Sequence, residues 1–231
     1  MKTIGIIGGL TWVSSLDYYR LLNQLVNYKL GGAEAAKIIL YSVNFGEIKT
    51  LTETGNWKEI AIILTDAAKK IEQCGAGCLM IGANTMHKIA DEVQAAVSIP
   101  LIHIAVETAR SVSSQKLKKV ALLGTKYTMQ MDFYKNKLAE AQIDTIIPNE
   151  EDINYINTAI YRDMHKGFFP PEMKAEFMRI INDLIGEGAE GIILGCTEIP
   201  ILIKQSDCTV PVFDTTEIHA KAAVAFALQD E

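Results

Sequence analysis

Two short runs carry the side chains best suited to chemistry: Gly195-Cys196-Thr197-Glu198-Ile199-Pro200 and Gly82-Ala83-Asn84-Thr85-Met86-His87. Each follows directly on an apolar stretch of strand character, so each is expected as a turn that opens a helix. Backbone N–H groups left unpaired at such a turn can hold a carboxylate, and the Asn84, Thr85 and Thr197 side chains add donors. The same positive end favours the thiolate of Cys196, a group whose unperturbed pKa is about 8.5. Taken alone, a cysteine after an apolar strand is more often a packing residue. The matching turn at position 83 shifts the balance toward a functional thiol.

The elements that must position these turns are legible in the periodicity. Short β-rich apolar runs at 3–7, 38–43, 78–81, 101–104, 120–123, 145–147, 191–194 and 210–213 alternate with helical spacing at 14–30, 57–73, 89–96, 131–141, 152–166, 171–187 and 216–229. Such alternation predicts an α/β fold of buried, mostly parallel strands, with right-handed crossovers covering both sheet faces.

The two halves of the chain repeat one another. Ile6-Ile7-Gly8 followed by Asp17-Tyr18-Tyr19 matches Leu122-Leu123-Gly124 followed by Asp132-Phe133-Tyr134. Leu79-Met80-Ile81-Gly82-Ala83-Asn84 matches Ile192-Ile193-Leu194-Gly195-Cys196-Thr197, and Val97-Ser98-Ile99-Pro100-Leu101-Ile102 matches Cys208-Thr209-Val210-Pro211-Val212-Phe213. Two similar lobes are therefore expected, each a mostly parallel sheet flanked by helices and related by an internal pseudo-repeat. The first spans 1–105, with 214–231 packing back on it, and the second spans 106–213. Strand ends facing one another across the lobe boundary would make a ligand cleft, with positions 83 and 196 opposed. Shared strand-turn-helix grammar without common ancestry is the alternative source of the repeat.

Composition narrows the function further. A chain of 231 residues that is 49% hydrophobic can bury a sizeable core. With 22 basic against 28 acidic residues, a net charge of −6 and no basic stripe, nucleic-acid binding is disfavoured. The apolar run ending at Gly8-Gly9 is too short for a signal core or a membrane span, so a cytoplasmic protein with no membrane partner is expected. Cys74, Cys78, Cys196 and Cys208 form neither a CxxC pair nor a disulfide framework, and no metal site is expected.

The N-terminal run Ile4-Gly5-Ile6-Ile7-Gly8-Gly9-Leu10-Thr11-Trp12, with Ser14-Ser15 and Tyr18-Tyr19, resembles the opening signature of aspartate/glutamate racemases. Asn84-Thr85-Met86-His87-Lys88, Leu123-Gly124-Thr125 with Tyr127-Thr128-Met129, Gly195-Cys196-Thr197-Glu198-Ile199, and Pro211-Val212-Phe213-Asp214-Thr215 with Ile218-His219-Ala220 continue the likeness along essentially the whole chain. Gly8-Gly9 lacks the GxGxxG spacing of a dinucleotide fold.

The resemblance implies racemisation of an acidic amino acid with no cofactor, pyridoxal phosphate included. One thiol per lobe flanks the α-carbon, one removing the proton as general base and the other delivering a proton to the opposite face. Cys196 matches one family cysteine. Ala83 stands at the second, and its methyl group transfers no proton. A substitution that traps substrate, a natural variant whose second donor is water or another group, and one-base chemistry all remain open.

By the same resemblance Asn84, Thr85 and Thr197 hold the substrate α-carboxylate, Thr125 lines the cleft, and Lys166 pairs with a side-chain carboxylate. Glu198 orients the substrate amino group or the thiol, and Leu10 walls the pocket with Trp12. Plainer roles compete: N-cap or turn residues for the threonines and Asn84, a solvated helix-end lysine for Lys166, and a first-turn carboxylate for Glu198. His87 and His219 read as satisfied structural histidines, and Tyr18 and Tyr19 as core aromatics. A homodimer is implied. A single-cysteine decarboxylase or isomerase of small dicarboxylic acids and a non-catalytic amino-acid-binding protein are the competing functions; exchange of the α-proton with deuterated water separates them.

Overall fold

The structure is a computed structural model that describes residues 1–229. The last two positions of the expected C-terminal segment lie outside the described residues. In chain order it forms β1 (Ile4–Gly8), α1 (Trp12–Leu30), β2 (Ile38–Ser42), α2 (Phe45–Glu53), α3 (Trp57–Gln73), β3 (Cys78–Ile81) and α4 (Ala90–Ala95). There follow α5 (Ile104–Ser114), β4 (Lys119–Gly124), α6 (Lys126–Gln130), α7 (Asp132–Glu140), β5 (Asp144–Ile146), α8 (Glu150–Arg162) and α9 (Pro171–Gly186). The chain closes with β6 (Ile192–Gly195), α10 (Ile199–Leu202), β7 (Val212–Asp214) and α11 (Thr215–Ala227).

These elements fall into two compact units. One comprises Met1–His103 and the segment from His219 onward, the other Ile104–Ile218. In the first, a three-stranded sheet has the order β2-β1-β3, all parallel. Its central strand, β1, is buried at every position, as a strand covered on both faces must be. Ile4 and Ile6 pack with Tyr18, Leu22 and Val26 of α1 and with Ala220, Ala223 and Val224 of α11. Ile7 points the other way, into Leu64, Ala67, Ala68 and Ile71 of α3. This alternation is the period of two that a strand imposes.

The second unit repeats the plan with a four-stranded parallel sheet in the order β5-β4-β6-β7. Val120 and Leu122 of β4 pack with Ile104, Ala105, Ala109 and Val112 of α5, whereas Ala121 and Leu123 pack with Ile156 and Ile160 of α8 and Phe177 and Ile181 of α9. The strand order β2-β1-β3 corresponds to β5-β4-β6, and the counterpart of β7 in the first unit is a single parallel bridge between Leu79 and Leu101.

That bridge corrects the strand expected at 101–104, because Ile104 instead opens α5. Buried Ile104, Ala105, Thr108, Ala109 and Val112 form a helical stripe that alanine and threonine make faint in the sequence. Helices α2, α6 and α10 were likewise not evident, being nine, five and four residues long. The stretch 89–96 divides into a 3-10 helix over Thr85–Ile89 and the short α4. Tyr18 is a core aromatic as expected, but Tyr19 is exposed, one position round the same helix.

Candidate active site

In the second unit, β4 and β6 pair in parallel with Gly124 opposite Gly195, so Thr125 and Cys196 leave adjacent strands at the same level. Glycine is needed at 195 because a Cβ there would stand 2.8 Å from the Leu123 carbonyl oxygen. The chain then turns through Thr197 and Glu198 into the single turn of α10.

Glu198 sits at the N-cap position of α10 but makes no capping bond. Its carboxylate turns back on the thiol instead. Cys196 Sγ donates to Glu198 Oε2 at 3.0 Å, and Thr197 Oγ1 donates to the same oxygen at 2.8 Å. Glu198 is 2% exposed and Cys196 8%. Burial first, then the neighbouring Glu198 carboxylate, push the Cys196 thiol well above its usual range, outweighing the backbone N–H groups of Thr197 and Glu198 that pull it down. The expected thiolate-favouring turn is thus present but outmatched, since it is one short turn facing a buried carboxylate. In the free protein Cys196 is a thiol hydrogen-bonded to a carboxylate.

Thr125 takes the plainer of its roles while remaining at the same strand edge. Its hydroxyl accepts from Thr128 N at 3.2 Å and caps α6. Thr215 Oγ1 donates to the Leu194 carbonyl at 2.8 Å, tying the start of α11 to the end of β6. The next residue, Thr216, is fully buried with a hydroxyl lacking a hydrogen-bond partner among the described residues. Thr216 was not singled out in the sequence, although it directly follows the run Pro211-Val212-Phe213-Asp214-Thr215. Lys166 is exposed at the end of a 3-10 turn, Met164–Lys166, where its charge helps to lower the Asp163 carboxyl; the Arg162 side chain is the larger cause.

In the first unit the corresponding strand ends belong to β1 and β3. Gly9 has φ 74° and a Cβ there would meet the Val43 carbonyl oxygen at 2.1 Å, so only glycine makes this turn. Leu10 is buried against the α3 side of the sheet, whereas Trp12 is exposed. Thr11 caps α1 by accepting from Ser14 N at 3.1 Å. Ser14 Oγ donates to the Gly82 carbonyl at 2.7 Å, and Gly9 N donates to Ser15 Oγ at 2.8 Å, so the β1 turn holds the β3 turn.

Ala83 leaves β3 partly buried, with buried Asn84 and Thr85 behind it. Asn84 stands before the 3-10 helix without capping it through its side chain. His87 and His219 are buried and hydrogen-bonded to backbone carbonyls, His87 to Ala83 and His219 to Ile102. Each unit therefore gathers its own part of the sequence-derived set: Leu10, Ala83, Asn84 and Thr85 in the first, Thr125, Cys196, Thr197 and Glu198 in the second.

The four cysteines are free, with Cys74 exposed at the end of α3 and Cys78 buried on β3, where burial pushes its thiol up to about 11. Among the described residues no cluster of three or more His, Cys, Asp or Glu could hold a metal ion. No described helix is long and apolar enough to cross a membrane.

Doubled parallel sheets with a buried thiol–carboxylate pair at a strand end define a class of protein, and comparison with known proteins gives it a family. A family model described as Asp/Glu/Hydantoin racemase matches residues 7–223. The chain is 44% identical to a Yersinia pestis protein assigned as an Asp/Glu racemase, covering 99% of this chain and 100% of that one with a TM-score of 0.92. To an aspartate racemase homologue from Pyrococcus horikoshii it is 38% identical, over 99% and 100% of the two chains, with a TM-score of 0.87. It is 25% identical over 169 residues to the broad specificity amino-acid racemase RacX of Bacillus subtilis, 72% of either chain. The chain belongs to the Asp/Glu/hydantoin racemase family. Its named relatives are amino-acid racemases, which are isomerases.

Proposed function

We propose that this protein inverts the α-carbon of an acidic amino acid, aspartate or glutamate, by proton transfer without pyridoxal phosphate, with Cys196 as the thiol acid/base. The observation that carries this reading is the bond from Cys196 Sγ to Glu198 Oε2 at 3.0 Å inside a buried turn. A thiol held above its usual range stays protonated and needs a proton acceptor before it can serve as a base. Glu198 supplies that acceptor. The thiol proton passes to Glu198, the thiolate removes the α-proton, and the carbanion is protonated on its other face by water. The hydroxide left behind takes the proton from Glu198, which restores the starting state with no net proton change.

Position 83 is proposed to serve the opposite face, on the strength of the sequence repeat that pairs it with 196. Ala83 contributes no proton, so a solvent-derived donor fits that face. Asn84, Thr85 and Thr197 are proposed to hold the α-carboxylate, Thr125 and Leu10 to bound the site, and Lys166 to reach the distal carboxylate. The protein is proposed to work in the cytoplasm as a homodimer.

The test is incubation with L- and D-aspartate and L- and D-glutamate in deuterated water, followed by loss of the α-proton signal and by chiral analysis. Exchange that vanishes in Cys196→Ala supports the reading. Full exchange in that variant removes Cys196 from the mechanism.

A further inference from the structure

The buried imidazoles of the first unit form one cluster that the proposed chemistry does not use. The ring of His87 lies 4.7 Å from that of His103 and 5.6 Å from that of His219, centroid to centroid. A carbonyl oxygen can only accept, so its partners reveal which ring nitrogens carry protons. Nε2–H of His219 donates to the Ile102 carbonyl at 2.6 Å, leaving Nδ1 to accept from Tyr18 OH at 2.9 Å. His219 is thereby committed at both nitrogens. Nδ1–H of His87 donates to the Ala83 carbonyl at 2.8 Å.

The carbonyls of the turn each have a donor. Ile81 O accepts from Ala83 N at 2.8 Å, Gly82 O from Ser14 Oγ at 2.7 Å, and Asn84 O from His87 N at 3.0 Å. The Ala83 carbonyl accepts from the His87 side chain, so His87 grips two successive carbonyls, one through its backbone and one through its ring. Only the second depends on the residue type. A long, flexible donor would not hold that position as a ring packed near two other rings does.

We propose that His87 is a positioning residue: its Nδ1–H, backed by the rings of His103 and His219, holds the turn 82–85 in the conformation that presents position 83, Asn84 and Thr85 to substrate. The presentation to substrate rests on the function proposed above; the holding of the turn does not. Burial and the two neighbouring imidazoles keep His87 uncharged at neutral pH, so its ring carries a single N–H, the one that donates to the Ala83 carbonyl.

Two isosteres separate this role from plain packing. An asparagine amide falls near the Nδ1 position of histidine, whereas a glutamine amide falls near Nε2, away from the Ala83 carbonyl. Amide hydrogen exchange on the full chain without ligand should show residues 83–88 exchanging about tenfold faster in His87→Gln and His87→Leu, and within about threefold of the parent in His87→Asn. Amides of β1 and β3 should be unchanged. Aspartate affinity, measured by calorimetry, should follow the same order. Unchanged turn exchange in His87→Gln, or His87→Asn as loose as His87→Gln, overturns the proposal. A turn loosened and rescued as expected, in a protein whose parent form binds neither aspartate nor glutamate, supports the holding role and contradicts the proposed substrate.

Discussion

At Cys196 the Glu198 carboxylate acts on the thiol in two opposed ways. Its charge disfavours the thiolate, yet its oxygen is the nearby acceptor through which a thiolate can form. Glu198→Gln removes the charge and the proton acceptor together. The Cys196 thiol should then titrate at lower pH, so its alkylation by iodoacetamide, resolved by peptide mass spectrometry, should begin at lower pH than in the parent, while α-proton exchange falls at least about tenfold. Unmoved alkylation would mean that Glu198 does not govern the thiol. The alanine at 83 invites the converse experiment. Ala83→Cys should raise the rate of inversion, read as D-enantiomer formed from L-aspartate, by about tenfold or more if a second general acid is what that face lacks. Cys196, Thr197 and Asn84 were legible as candidates from residue type and spacing alone. The inward turn of the Glu198 carboxylate was one of the readings open there, because orienting the thiol or the substrate amino group competed with the plainer role of a first-turn helix carboxylate.

At the scale of the elements, the glycines that end the strands set how closely the turns approach. Gly195→Ala would place a methyl 2.8 Å from the Leu123 carbonyl oxygen and 3.0 Å from Leu122 Cδ1, forcing β6 away from β4. A loss of about 1–3 kcal/mol is expected from urea denaturation, with Cys196 displaced and exchange reduced. Strands and long helices were readable because burial on both faces leaves continuous apolar runs and one-sided burial leaves a stripe. The short helices were not. α5 hides its stripe among alanines, threonine and serines, and the strand expected at 101–104 shrinks to one bridge because Ile104 is needed as the first buried residue of that helix. The imidazole cluster has a consequence at this scale too. Burial pushes His219 down to about 3, below the value near 6.5 of an unfolded chain. Between those limits the unfolded state binds more protons, so stability is fully present above about pH 7 and is lost as pH falls. His87, lowered by the same cause, adds to the effect, with His103 and Tyr18 as the other titratable groups around them. Urea midpoints at pH 7.5 and 5.5 should therefore differ, the lower pH being less stable by about 1 kcal/mol or more. Equal midpoints would mean that the imidazoles are not held neutral.

For the whole molecule, the repeat seen in the sequence reappears as sheet order and register, with β1 matched to β4 and β3 to β6. Each unit is closed by a helix that precedes or follows its run of strands, α5 in the second and α11 in the first. That closure was only partly readable, because in the second unit it depends on a helix at 104–114 that periodicity did not reveal. Light scattering after size exclusion tests the proposed homodimer, with a mass of twice 25.4 kDa expected. Family membership accounts for the fold and for the class of relatives. The proposed activity rests on one sulfur atom and the carboxylate beside it. The most direct test is therefore the α-proton of aspartate and glutamate in deuterated water, followed by NMR with the parent chain and with Cys196→Ala at equal folded concentration. Deuterium wash-in is expected with the parent and none above background with the variant. Equal wash-in by both proteins would remove Cys196 from the mechanism.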